Sequence, residues 1–252
     1  MEKQNFKSIR IFILPNLFTS LNLFCGYYSI TASVQLKFTE AAIAILVGAV
    51  FDLLDGKIAR ATCSTSKFGV EYDSLADLIT FGLAPALLMF LWVLESAGRP
   101  GWSAAFLFVI CGALRLARFN TTDSNSNDFE GLPIPAAGGV CVSLVLLFSR
   151  LNIDPEPYKM YVLILMFFLS FCMVSSLHYK SFKNISLFKS TKFHRLVGFI
   201  LVFVAFVTEP CIILFGMAFT YLFSGLFFLL VSNFLPSSRK DNDEQIQLDK
   251  RL

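Results

Sequence analysis

The stretch from Asp52 to Asp77 reads DLLDGKIARATCSTSKFGVEYDSLAD, and the rest of the sequence is organised around it. It holds two pairs of aspartates, Asp52 with Asp55 and Asp73 with Asp77, between strongly apolar flanks. Spacings of three and four residues place the members of each pair on one face of a helix. The sequence therefore predicts two helix ends that bring four carboxylates together at the edge of a membrane.

The composition is that of a membrane protein. Of the 252 residues, 56% are apolar and 15% are charged, and the mean hydropathy is +0.66. A soluble domain carries about 25% charged residues. The two histidines and six cysteines, none of which form a CxxC pair, offer little for a zinc site or a Ser-His-Asp triad.

Apolar segments predict an all-α integral membrane protein, a bundle of about eight transmembrane helices. A helix needs about 20 residues to cross the hydrocarbon. We expect a transmembrane catalytic domain over 1–235 and a disordered cytosolic tail over 236–252. The first segment is interpreted as a retained helix rather than a signal peptide, with its polar residues facing other helices. The predicted segments are 11–34, 40–58, 74–95, 102–120, 134–151, 158–178, 196–208 and 210–232, and the last two are the least certain in extent.

The positive charges indicate an orientation. With eight spans and a cytosolic N-terminus, all but four of the 21 lysines and arginines fall on the cytosolic side. This bias follows the positive-inside rule and places the aspartate-rich stretch and both termini in the cytosol. The basic segment 179–195 is interpreted as a surface for anionic lipid headgroups rather than for nucleic acid. The four exceptions are Lys37, Arg99, Arg150 and Lys159.

Four clustered carboxylates need cations. At about 4 Å, a like-charge pair costs on the order of 4 kcal/mol at an effective dielectric near 20. Hard oxygen ligands suit Mg²⁺ or Mn²⁺, and a divalent site facing the cytosol suggests a phosphate-containing substrate. A cation transporter that uses the aspartates as its ion site is the alternative of a different class. A helix-capping role for Asp73 also stays open.

Small and basic residues accompany the aspartates. Gly56 and Ala59 would let a ligand approach the helix backbone, although small residues in membrane helices more often serve helix packing. Arg60 offers a bidentate partner for phosphate. Gly69 permits an unusual turn or another close contact.

The full pattern resembles the signature of the CDP-alcohol phosphatidyltransferase family. Every defined position is present: Asp52-x-x-Asp55-Gly56-x-x-Ala59-Arg60, then eight residues, then Gly69-x-x-x-Asp73-x-x-x-Asp77. The resemblance implies a helical membrane enzyme with a six-helix core, here with two further helices, a site for two metal ions and, in many members, a homodimer. Carried over, the four aspartates bind metal and Asp77 also deprotonates the acceptor hydroxyl. Gly56, Ala59, Arg60 and Gly69 would hold the CDP-lipid.

Three further stretches resemble the phosphatidylserine synthases within that family. They are PNLFTSLNLFCGYYSI from Pro15, RLARFN from Arg115, and FEGLPIPAA from Phe129. The resemblance implies CDP-diacylglycerol and L-serine as substrates, in the cell inner or plasma membrane. Glycerol 3-phosphate, inositol phosphate and choline remain alternative acceptors.

Four more polar residues are candidates for substrate contacts. Arg115 and Arg118 could hold phosphate or the serine carboxylate, although snorkelling to headgroups explains each equally well. Asn16 and Thr19 could reach the nucleotide from the first span, although hydrogen bonding between helices is an equal alternative.

Overall fold

The computed structural model describes residues 2–61, 66–121, 131–175 and 209–220. All regular structure within these ranges is helical. We number the helices α1 to α7 in chain order. They are α1 (Glu2–Val34), α2 (Phe38–Ala61), α3 (Lys67–Ala97), α4 (Arg99–Thr121), α5 (Ile134–Leu151), α6 (Glu156–Val174) and α7 (Pro210–Thr220).

Four of these helices, α3 to α6, are long and apolar enough to cross a membrane. Helices α1 and α2, with 33 and 24 residues, are also long enough but carry more polar and charged side chains. The chain is thus an integral membrane protein built from helices. The predicted span at 196–208 and the tail 236–252 lie outside the described residues, so the count of eight stays a prediction.

Two predicted helix starts were wrong, and the first is that α1 begins at Glu2 rather than at residue 11. The sequence placed the start of the third span at residue 74, but α3 already begins at Lys67. Ser66 precedes it in extended conformation, and its hydroxyl accepts a hydrogen bond from the backbone N–H of Gly69 at 3.0 Å. This N-cap satisfies one of the free donors of the first turn and sets the helix start ahead of the apolar run.

Helix α1 buries its polar side, as the sequence predicted. Thr19, Asn22, Ser29 and Ser33 are each at most 3% exposed, and they recur at helical spacing. The opposite side carries exposed Phe24 and other large apolar residues. Because lipid cannot pair polar groups, this arrangement turns the hydrogen-bonding face toward the other helices.

Helix α3 contains two π-helical segments, Leu78–Leu83 and Phe90–Leu94. The first begins directly after Asp77, and its Thr80 faces α1, where the hydroxyl donates to the backbone carbonyl of Asn22 at 3.0 Å. Glycines allow this close approach. A Cβ atom at Gly26 would lie 2.6 Å from the Thr80 hydroxyl oxygen and 2.9 Å from its Cα.

Packing at Gly26 can be tested by adding one methyl group. We expect Gly26→Ala to lower the free energy of unfolding by about 1–3 kcal/mol, since overpacking forces the helices apart. Gly139→Ala is the matched control, because a Cβ atom there has no heavy atom within 4 Å among the described residues. Thermal unfolding in detergent measures both. Equal midpoints for the two variants would contradict the tight contact between α1 and α3.

Candidate active site

Three of the four aspartates form one cluster. Asp52 and Asp55 lie in the second half of α2, and Asp73 lies in the second turn of α3. One carboxylate oxygen from each lies within 4.8 Å of the other two. The predicted meeting of two helix ends is therefore present, and it crowds negative charge in a partly desolvated place.

The aspartates are arranged in two layers. Asp55 and Asp73 form the layer nearer the connection between α2 and α3. Asp52 and Asp77 each lie about one helical turn farther from that connection, and their carboxyl groups are direct neighbours. Asp77 is thus in contact with Asp52 but outside the group of three.

Helix α1 supplies one hydrogen-bond donor to each layer. The Thr19 hydroxyl lies 3.0 Å from Oδ2 of Asp55, and Nδ2 of Asn22 donates to Oδ1 of Asp77 at 3.1 Å. Asp55 is only 4% exposed, so its carboxylate has little contact with water and depends on the hydrogen bond from Thr19. A hydrogen bond to a buried carboxylate offsets part of the cost of removing it from water.

A helix cap does not explain Asp73. Ser66 is the N-cap of α3, and Asp73 lies seven residues later, inside the helix. Its Oδ1 is buried and has no hydrogen-bond partner among the described residues. The capping role considered from the sequence is therefore wrong for Asp73.

A cavity of about 190 Å³ opens beside the layer formed by Asp55 and Asp73. It collects six of the residues that the sequence singled out for the nucleotide and phosphate. Asp55 and Asp73 line the same cavity. The six are Asn16, Thr19, Gly56, Ala59, Arg60 and Gly69.

The glycines of the motif differ in their surroundings. A Cβ atom at Gly56 would meet only the Arg60 guanidinium, at 3.8 and 3.9 Å, among the described residues. No other helix of the described part of the chain packs there, so packing between those helices does not explain Gly56. A Cβ atom at Gly69 would lie 3.2 Å from Oγ of Ser66 and 3.6 Å from Oδ1 of Asn16. Gly69 thus lets α1 and the start of α3 come close.

The two arginines of α4 are not among the residues that line this cavity. Arg115 is half-buried and Arg118 is exposed. Asn120, at the end of α4, is joined to α3: its Nδ2 donates to Oε2 of Glu71 at 3.1 Å and to Oγ of Ser74 at 3.0 Å. The end of α4 is therefore tied to the turn of α3 that carries Asp73.

The cluster fits a divalent cation. Two ligands on opposite sides of one Mg²⁺ lie about 4.2 Å apart, twice the Mg–O distance of about 2.1 Å. The three aspartate oxygens lie within 4.8 Å of one another, which is close to the largest spread that the ligands of one such ion can have. The unpartnered Oδ1 of Asp73 and the all-oxygen donor set also suit a hard cation better than zinc.

Comparison with known proteins agrees with this geometry. Residues 12–222 match the CDP-alcohol phosphatidyltransferase family. The chain belongs to this family. Its members generally use a divalent metal, and the aspartate cluster is a place where one could bind.

Several curated relatives within the family are similar over most of the chain. A CDP-diacylglycerol--serine O-phosphatidyltransferase of Helicobacter pylori is 41% identical over 177 residues, covering 69% of this chain and 75% of the relative. The enzyme of that name from Bacillus subtilis is 35% identical over 171 residues, covering 68% and 92%. An archaetidylserine synthase of Methanothermobacter thermautotrophicus is 37% identical over 180 residues, covering 69% and 73%.

Sequence reasoning missed Asn22 as a residue of this CDP-alcohol phosphatidyltransferase site. Of the polar residues in the first span, the sequence singled out Asn16 and Thr19 but not Asn22. The signal was its spacing, since Asn16, Thr19 and Asn22 recur every three residues and so share a helix face. Ser66, whose hydroxyl caps α3 and which lines the cavity, was also missed.

Metal binding by the cluster can be measured without turnover. We expect Asp73→Asn to weaken Mn²⁺ binding, followed by electron paramagnetic resonance, by more than about tenfold, the lower end of the loss when even an outer-shell partner is removed. Asp154→Asn, at an exposed position between α5 and α6, should bind Mn²⁺ like the unaltered protein. Unchanged affinity in the Asp73 variant would contradict a metal site here.

Proposed function

We propose that this protein transfers the phosphatidyl group of CDP-diacylglycerol to the hydroxyl of L-serine, giving phosphatidylserine and CMP. The observation that carries the proposal is the cavity beside the aspartates, which gathers six of the eight residues of the family motif, all but Asp52 and Asp77, around one space. The serine acceptor is supported by relatives named CDP-diacylglycerol--serine O-phosphatidyltransferase at 34–41% identity.

The cavity residues are assigned to the CDP-lipid. Gly56 and Ala59 leave the surface of α2 open, and the Arg60 guanidinium lies over Gly56, where it can take a phosphate. Gly69 lets the start of α3 lie close to α1 on the other side of the cavity. Asn16 and Thr19 border the same space from α1, so contacts from them to the nucleotide fit the proposal.

The four aspartates are assigned to two divalent ions, Mg²⁺ or Mn²⁺. Asp52, Asp55 and Asp73 would hold the first, and Asp77 with Asp52 would contribute to the second. Bound divalent ions neutralise charge on the pyrophosphate and on the departing CMP. The protein's own part is to hold the carboxylates together, which the donors Thr19 and Asn22 support from α1.

Asp77 is assigned as the general base. The serine hydroxyl gives its proton to Asp77, the serine oxygen forms a bond to the phosphorus nearest the lipid, and the bond from that phosphorus to CMP breaks. Transfer is direct, since the aspartates are already assigned to metal and no other nucleophile lies in the motif. A phosphatidyl group trapped on the protein in the absence of serine would refute direct transfer.

The residues that choose serine are assigned to the segment around Arg115 to Pro135. Arg115 and Arg118 remain proposed partners for phosphate or for the serine carboxylate. The tie from Asn120 to Glu71 and Ser74 supports this, because it brings the end of α4 beside the aspartates. Another acceptor, such as glycerol 3-phosphate, inositol phosphate or choline, would use the same metals and base.

The site is proposed to face the cytosol, in the inner or plasma membrane, with both termini on that side. The excess of lysine and arginine on the predicted cytosolic segments supports this orientation. Labelling of single introduced cysteines with an impermeant maleimide in sealed vesicles tests it. A homodimer, expected from the family resemblance, also remains a prediction, and nucleic acid is not an expected partner.

The proposed activity is tested by an acceptor-competition assay. Purified protein with Mn²⁺ and CDP-diacylglycerol should release CMP with serine, and much more slowly with glycerol 3-phosphate, inositol phosphate or choline. Chelation should stop the release. A preference for another acceptor would replace serine in the proposal. Metal-dependent ion flux without CMP release would favour the transporter.

Substitution of the proposed base gives a sharper result. We expect Asp77→Asn to reduce turnover by roughly 10²–10⁴-fold, the usual contribution of a general base. The amide keeps the size of the side chain, so the variant should remain folded and retain part of its CDP-lipid binding. Turnover and equilibrium binding are measured on the same preparation. Near-normal turnover would refute the role assigned to Asp77.

A further inference from the structure

One buried amide contacts the proposed base from a neighbouring helix. Asn22 of α1 is 0% exposed, and its Nδ2 donates to Oδ1 of Asp77 at 3.1 Å. It is 55 residues away in sequence, so the contact depends on the packing of α1 against α3. Asn22 does not line the cavity that holds the motif residues.

The orientation of the amide follows from the hydrogen bond of its Nδ2 to Asp77, since its Oδ1 is buried without a hydrogen-bond partner among the described residues. Its Oδ1 points toward α2, where it lies 3.0 Å from the position that a Cβ atom would take at Gly48. The hydroxyl of Thr80 donates to the backbone carbonyl of Asn22, which fixes the backbone at the same point. The opposite orientation would bring the amide oxygen against the carboxylate of Asp77, which is repulsive.

We infer that Asn22 is a positioning residue that fixes the carboxylate of Asp77 for proton transfer. This inference rests on the proposed function. The amide N–H binds Oδ1 and so restricts rotation of the carboxylate that is assigned both to metal and to the acceptor proton. Gly48 contributes to this arrangement, because the absence of a side chain there leaves room for Oδ1 of Asn22.

The arrangement predicts a loss of rate without a loss of binding. In Asn22→Leu the side chain keeps its approximate volume but loses the donor, so Asp77 can rotate. We expect kcat to fall by about 10–100-fold, as for loss of an outer-shell partner, while KM for serine and for CDP-diacylglycerol changes by less than about twofold. Mn²⁺ binding, followed by electron paramagnetic resonance, should keep its stoichiometry.

Two further variants separate positioning from simple folding. Gly48→Ala leaves the reacting groups intact but adds a Cβ atom 2.8 Å from Cγ2 of Thr80 and 3.0 Å from Oδ1 of Asn22. Because both neighbours belong to the contact that positions Asn22, this variant should lower kcat in the same way. Ser29→Ala is the control, because Ser29 lies two turns further along the buried face of α1 and its Oγ has no hydrogen-bond partner among the described residues. It should retain full activity. Every rate is divided by the amount of folded protein, measured by size-exclusion chromatography.

The outcomes are distinct. A normal kcat per folded molecule in Asn22→Leu would overturn the inference and leave the proposed function standing. A raised KM with unchanged kcat would overturn it as well, because Asn22 would then bind substrate. If Asn22→Leu does not fold, Gly48→Ala decides between the same alternatives. An unaltered protein that releases no CMP with any acceptor would overturn both the function and the inference.

Discussion

The structure depends on the repulsion between carboxylates that two helices force together. Asp52, Asp55 and Asp73 lie within 4.8 Å of one another, and Asp77 contacts Asp52, all beside a membrane. Packing of apolar side chains does not offset this repulsion. Cations and hydrogen-bond donors have to offset it. Helix α1 provides the donors, which explains why a membrane helix buries hydroxyls and amides rather than leucines.

One face of helix α1 therefore has two roles, since it supplies hydrogen-bond donors to the aspartates and packs closely against α3. Thr19 and Asn22 pair with carboxylates, while Gly26, one turn further, lets the helix approach α3 closely enough for those pairs to form. Stability and chemistry are coupled at this contact. A change that moves α1 away from α3 would separate the donors from the aspartates, even if it lies far from the cavity.

Much of this could be predicted from the sequence, because the information is local. The spacing within each aspartate pair determines a shared helix face, and the apolar runs give the helices nearly in place. The start of α3 was misplaced, since hydropathy reports the apolar run and not the Ser66 cap ahead of it. The contact of Asn22 with Asp77 is a long-range packing result, and no local pattern states which helix a buried amide will meet. The absence of Arg115 and Arg118 from the cavity lining has the same cause, because it depends on the rotation of α4.

The π-helical turn after Asp77 has a consequence for how α3 can change. Each residue of an α-helix advances the side-chain direction by about 100°, so one extra residue in a wider turn offsets everything that follows by about that angle. The segment Leu78–Leu83 therefore changes the direction in which side chains point between the part of α3 before it and the part after it. The part before it directs aspartates toward α2, and the part after it packs core residues against α1, α2, α4 and α5. Loss of a single residue within that turn would rotate one half against the other, with no substitution in either.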